Sequence, residues 1–320
     1  PVENYRSDQL LALISCFVNT LKMEFQHIDI VSSKRIYLLA SANSLSANIL
    51  DTLEKRNIEN EFVNGHYFKE DLVRMRSEMI REKLLDEAPL NKNFRPIAYY
   101  YQIRHWLHQF DISMDYIFAL LIAMIILVLI LIKPINFGLF TGGFTASALE
   151  FLIILSFQVI YGYLYQFVGL IIAVFMLGLY FGSSKLTKLF KPRGQREFLI
   201  IHACIGISAL LIPLLLKSLD DKMFNQYIIQ GIILLLTILI GSLTGLQYAS
   251  ACSLFDQKAN RIAASTYFSD MAGSAFGILI ASVLLVPLFG IMKSGVILLV
   301  FNAFSILNIM IRSKVTQLKS

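Results

Sequence analysis

The chain has 320 residues, 56% of them hydrophobic, and a mean hydropathy of +0.64, a composition that excludes an ordinary water-soluble protein and fits a multi-pass membrane protein. Its net charge of +6 is unevenly divided: residues 1–113 carry 14 Lys+Arg against 15 Asp+Glu, and residues 114–320 carry 14 against 7. The basic excess therefore lies between apolar runs, where membrane topology puts it, which excludes a nucleic-acid partner. Cys16, Cys204 and Cys252 are far apart, with no CxxC and no paired histidine, so neither a disulfide framework nor a zinc site is indicated.

In chain order, Pro1 is preceded by no Met and followed by no basic-then-apolar leader, so the sequence reads as the later part of something longer. Ser7 is placed to cap a helix with Leu10, Leu13, Ile14, Phe17, Val18 and Leu21 on one face. Residues 27–31 and 35–40 alternate as two strands, and the short Ser32-Ser33-Lys34 link predicts an antiparallel hairpin. A helix is predicted from about Leu45 to Arg56, a short strand at Glu61-Phe62-Val63 before an Asn64-Gly65 turn, and a charged helix from about Asp71 to Leu85. So few strands cannot make a stable sheet alone, and the expectation is that they complete one whose other strands lie upstream. Residues 96–110 hold five aromatics (Tyr99, Tyr100, Tyr101, Trp106, Phe110) interrupted by Arg104, His105 and His108. They suit either a helix at the lipid headgroup level or one packed on the N-terminal domain.

From residue 114 the solvent changes. A hydrocarbon core of roughly 30 Å needs about 20 apolar residues per helix, and seven runs meet that requirement: about 114–132, 137–161, 167–184, 198–216, 226–254, 266–288 and 292–311. Gly138/Gly142, Gly178/Gly182, Gly241/Gly245 and Gly273/Gly277 have the spacing that lets helix backbones approach closely. With seven spans, eleven Lys+Arg fall on the side of the 185–197 loop and the C-terminus, and only Lys217, Lys222 and Lys293 in the opposite loops. The positive-inside rule makes that loop and the C-terminus cytoplasmic in an inner membrane; the N-terminal segment is then exoplasmic by the parity of seven spans, or on the cytoplasmic side if one segment is re-entrant.

Within the spans, Glu150 is the sharpest residue, because a central ionised acid costs roughly 2.5–3.5 kcal/mol to insert. Gly143, Ser147, Glu150, Gln158, Tyr161 and Tyr165 follow helical spacing and predict one polar stripe, read either as a proton- or substrate-binding site or as a neutral carboxyl bonded to a neighbouring helix. Asp270 begins the sixth span, where an interfacial or helix-dipole acid is expected, with Gln247 and Tyr248 as candidate partners. His27, His66, His105, His108 and His202 show no metal spacing and read as solvated or structural. No nucleophile–base pattern and no phosphate-binding glycine loop occurs in the polar part, so no catalytic residue is assigned.

Gly143-Phe144-Thr145-Ala146-Ser147-Ala148-Leu149-Glu150-Phe151, Ser156-Phe157-Gln158, Tyr161-Gly162-Tyr163-Leu164-Tyr165-Gln166, Phe175-Met176-Leu177-Gly178 to Ser183, Gly245-Leu246-Gln247-Tyr248-Ala249 and Tyr267-Phe268-Ser269-Asp270 to Gly277, in this order, resemble the membrane part of bacterial spermidine synthase-like fusion proteins. Asn93-Phe94-Arg95-Pro96-Ile97-Ala98-Tyr99-Tyr100-Tyr101 resembles the segment joining the two parts in that family. The resemblance implies a fold that is mostly α: residues 1–92 as the end of a Rossmann-like, methyltransferase-type α/β domain, 93–113 as an amphipathic linker helix and 114–320 as a seven-span polytopic bundle. It also implies an aminopropyltransferase using decarboxylated S-adenosylmethionine and putrescine, whose donor-binding glycines and catalytic acids belong to strands this chain does not contain. Two readings of the bundle follow: an anchor or substrate supplier for the upstream part of its own chain, or a transporter-like bundle for a polyamine or other small cation using Glu150. A membrane scaffold without chemistry is the third. The lipid bilayer is a partner in each.

Overall fold

The computed structural model describes residues 7–45, 48–64, 67–131, 134–162, 165–192, 194–219, 225–254 and 259–317. They divide into two compact units, Pro1–Lys92 with Ile97–Tyr116, and Asn93–Pro96 with Ile117–Ser320.

In the first unit α1 (Asp8–Leu21) starts where Ser7 Oγ accepts from the Leu10 N–H at 3.2 Å. Its apolar stripe buries Leu10, Leu11, Ile14 and Val18 with Ile30 and Ile80. Strands β1 (His27–Ser32) and β2 (Ile36–Ser41) pair antiparallel with Ile30 opposite Leu38. Helices α2 (Ile49–Lys55) and α3 (Glu70–Arg81) follow, α3 docking on β1, where Ser32 N–H donates to Ser77 Oγ at 3.0 Å. The expected strand at 61–63 is absent: Asn60 Oδ1 accepts from the N–H groups of Phe62 and Val63 at 2.9 and 3.0 Å, winding the backbone into a side-chain-closed turn instead of a ladder. The sheet of the described residues has two antiparallel strands, so the parallel strand–helix–strand unit of a Rossmann-like domain is not formed by them.

Asn91 Oδ1 accepts from the Ala98 N–H at 3.1 Å and opens α4 (Ala98–His108). Of the two readings of residues 96–110, packing on the N-terminal unit is the one seen: α4 lies on α1 with Ala98 and Leu107 buried and Trp106 and Phe110 outward.

The second unit follows α5 (Met114–Leu131) with α6 (Pro134–Tyr161), α7 (Tyr165–Phe181), a π-helical turn at Gly182–Leu186, α8 (Thr187–Phe190), α9 (Gln195–Ser218), α10 (Gln226–Ser253), α11 (Ala259–Ile280), a π-helical segment Ala281–Phe289, and α12 (Gly290–Gln317). Five helices of the described residues are long and apolar enough to cross a membrane. The last of them, Ala264–Arg312, has 49 residues and would reach about 74 Å if straight, over twice a bilayer core. It does not run straight. Pairing of α11 with α6 ascends (Asn136 with Ser265, Phe144 with Gly277), while pairing of α12 with α6 descends (Gly138 with Ile309, Thr145 with Asn302). The chain therefore reverses, at Gly290 with φ +79°, and this one apolar run makes two antiparallel helices. The same register reading makes α9 parallel and α10 antiparallel to α6, so the six helices α6, α7, α9, α10, α11 and α12 alternate in direction.

Helix α6 is the axis, buried almost without interruption from Asn136 to Phe157. Helices α7 and α10 meet through glycine: a Cβ on Gly178 would come 2.7 Å from the Ile238 carbonyl, and one on Gly245 would collide with the Leu179 backbone.

Candidate functional site

Polar side chains inside an apolar bundle must find partners across helices, because lipid offers none. Three successive residues of the axial helix, Thr141, Gly142 and Gly143, direct that search to different neighbours. Thr141 Oγ1 lies 3.3 Å from His202 Nε2 on α9 and donates to Ser305 Oγ on α12 at 2.9 Å. Gly142 leaves the space that the amide of Gln247, on α10, occupies, so that any Cβ there would strike Gln247 Oε1. At Gly143 a Cβ would come 2.8 Å from the Asp270 carboxylate and 3.0 Å from Ser274 Oγ, both on α11. One layer deeper, Asn302 Nδ2 donates to Thr145 Oγ1 at 2.6 Å.

The layer fixes the tautomer of its histidine. Gln247 Nε2 donates to the Gly138 carbonyl at 3.0 Å, which a carbonyl requires of any partner, and the same nitrogen lies 2.8 Å from His202 Nδ1. His202 Nδ1 is thus an acceptor, and the ring is neutral with its hydrogen on Nε2, directed at Thr141. Thr141 and His202 are fully buried, and Gln247 is 1% exposed. The Phe198 ring, one helical turn away, stacks on the imidazole at 6.1 Å.

The expected stripe is only partly one surface. Ser147 is buried, and Glu150, Gln158 and Tyr161 are half-buried on α6, Tyr161 donating to the Gln226 carbonyl at 2.8 Å. Tyr165 is not on that helix: α6 stops at Tyr161 before Gly162 with φ +73°, and Tyr165 begins α7. Asp270 is not at a helix start either, since α11 begins at Ala259 and carries the acid to its middle, beside Gly143. Gln247, expected near Asp270, bonds His202 instead. His66 lies outside the described residues. Sequence reasoning missed His202, Thr141, Ser305 and Asn302 as one cluster. The available signal was a histidine inside an apolar run, which needs a buried partner.

The ion pairs Arg74–Asp71 and Arg81–Asp29 both lie in the N-terminal unit, and neither Glu150 nor Asp270 is paired with a cation among the described residues. No group of three metal-ligating side chains is found among them either. Comparisons with protein-family models, with curated proteins and with solved structures find no match.

Proposed function

We propose that this chain is the membrane part of a spermidine synthase-like protein, and that its bundle binds a small cation, a polyamine or a proton, at the layer around Gly142 and Gly143. The observation that carries this reading is convergence. Three of the stretches that resemble the family, 143–151, 245–249 and 267–277, bring Gly143, Gln247 and Asp270 to one level of the bundle. An acid held inside a span without a cationic partner is costly unless it is neutral or meets a cation from outside. Asp270, against a bare glycine, is the better placed to receive one, and Glu150 is a second acid further along the same axial helix. The His202 hub, with every ring nitrogen engaged, positions Gln247 and holds α9, α10 and α12 to α6. The described residues offer no Gly-rich strand–turn–helix that would fit decarboxylated S-adenosylmethionine, so no transfer step is assigned to them.

The test is uptake and equilibrium binding of labelled putrescine and spermidine by the chain reconstituted in proteoliposomes. Asp270→Asn should weaken binding about tenfold, or about 1.4 kcal/mol, with a smaller loss for Glu150→Gln. Unchanged amine binding in both variants, or no binding by the unaltered chain, would leave an anchoring role for the bundle.

A further inference from the structure

The N-terminal unit holds a second feature, independent of the amine reading. Between α1, the β1–β2 hairpin and α4 runs a groove of about 980 Å³, at the upper end of the range typical of small-molecule sites. Its α1 and β2 walls are apolar, with Leu13, Ile14 and Phe17 from α1 and Ile36 and Leu38 from β2, while Gln102 and Gln109 add amides on the α4 side. Lys34 and Arg35 stand at the hairpin turn, whose backbone is closed by Ser33 N–H donating to the Arg35 carbonyl at 3.0 Å. Both cations are exposed, neither makes an ion pair or a side-chain hydrogen bond among the described residues, and no Asp or Glu lines the groove. On α4, Tyr99 and Trp106 line it while remaining 48% and 58% exposed. His105 adds little charge, since burial pushes its imidazole below the usual range.

An apolar wall with two cations at the hairpin turn that have no ion-pair partner among the described residues, and aromatic rings beside it, is complementary to an acyl chain carrying an anionic head. The two cations attract an anionic phosphate, repel a cationic head and give a head of no net charge no comparable gain. A chain with membrane-crossing helices has phospholipid at hand. We infer that this groove binds one acyl chain of an anionic phospholipid, with the lipid phosphate on Lys34 and Arg35.

Trp106, the single tryptophan of the protein, lines the groove and reports on it directly. The full chain in nanodiscs is examined with acyl-brominated phosphatidylglycerol or phosphatidylcholine at equal mole fraction, reading Trp106 quenching. The expected result is at least twofold stronger quenching by phosphatidylglycerol, and loss of that preference in the Lys34→Gln/Arg35→Gln double variant. Equal quenching by the two lipids overturns the inference, because it reports general nearness to a bilayer. So does an unchanged preference in the double variant, or quenching by brominated oleate where phosphatidylglycerol gives none. The two substituted side chains are exposed and make no side-chain bond among the described residues, and an unchanged far-ultraviolet spectrum verifies the fold of the variant.

Discussion

Gln247 satisfies two groups that the bilayer cannot, the Gly138 carbonyl and His202 Nδ1, with one amide nitrogen. Gln247→Leu keeps the volume but leaves His202 Nδ1 without its donor, a loss of about 1–3 kcal/mol for that orphaned buried group, while the Gly138 carbonyl keeps its donor within α6. The expected outcome is a clearly lower melting temperature in detergent, while Gln158→Leu, at a half-buried position, shifts it little; equal shifts would contradict the hub. At this scale the sequence was legible for charge and opaque for neutral polarity. Glu150 draws attention because an ionised acid in a span is expensive, and Asp270 as a charge at the edge of one. A neutral His202 in an apolar run marks the need for a buried partner without naming one, and its partners lie 45 and 61 residues away in sequence, distances that spacing rules do not reach.

Hydropathy finds the apolar runs, because roughly 20 apolar residues are what a bilayer demands, but the division of the last run into α11 and α12 comes from the reversal at Gly290. Their ends are less visible. Residues 259–265 are too polar to belong to an apolar run, yet α11 begins there, which moves Asp270 from a helix end to a helix middle. The strand expected at 61–63 failed for a local reason: Phe62 and Val63 favour extended backbone, but Asn60 intercepts their N–H groups before a partner strand can. The glycine pairs, by contrast, declare their use. Gly245 lies on the Leu179 backbone where α7 and α10 run parallel. Gly245→Val forces these helices apart, and overpacking of this kind costs about 1–3 kcal/mol. A thermal melt in detergent should show it, alongside Gly231→Val, whose position has no neighbour within 4 Å and should be neutral.

The alternating directions of α6 to α12 put the N-terminal ends of α6, α9 and α11 at one end of the bundle with the Lys185, Lys188 and Lys191 segment, where Ser253 Oγ donates to the Pro192 carbonyl at 2.8 Å. Charge asymmetry then predicts that end to be cytoplasmic. A cysteine introduced at exposed Lys188 should react with an impermeant maleimide only after the membrane is opened; labelling of intact cells would invert the topology. At the other end, the reversal at Gly290 is closed by residues from far away in the chain. Ile291 N–H donates to the Phe94 carbonyl at 2.9 Å, and Arg95 Nε donates to the Leu288 carbonyl at 3.1 Å. This closure has a consequence for biogenesis. Phe94 and Arg95 leave the ribosome 193 residues before the latter's partner exists, so the final hairpin is also the clasp for the earliest-made part of the bundle. At a synthesis rate of roughly 5–20 residues per second the clasp waits open for about 10–40 s. A nascent chain stopped short of Leu288 holds every earlier span and still lacks the piece that fastens its beginning to its end.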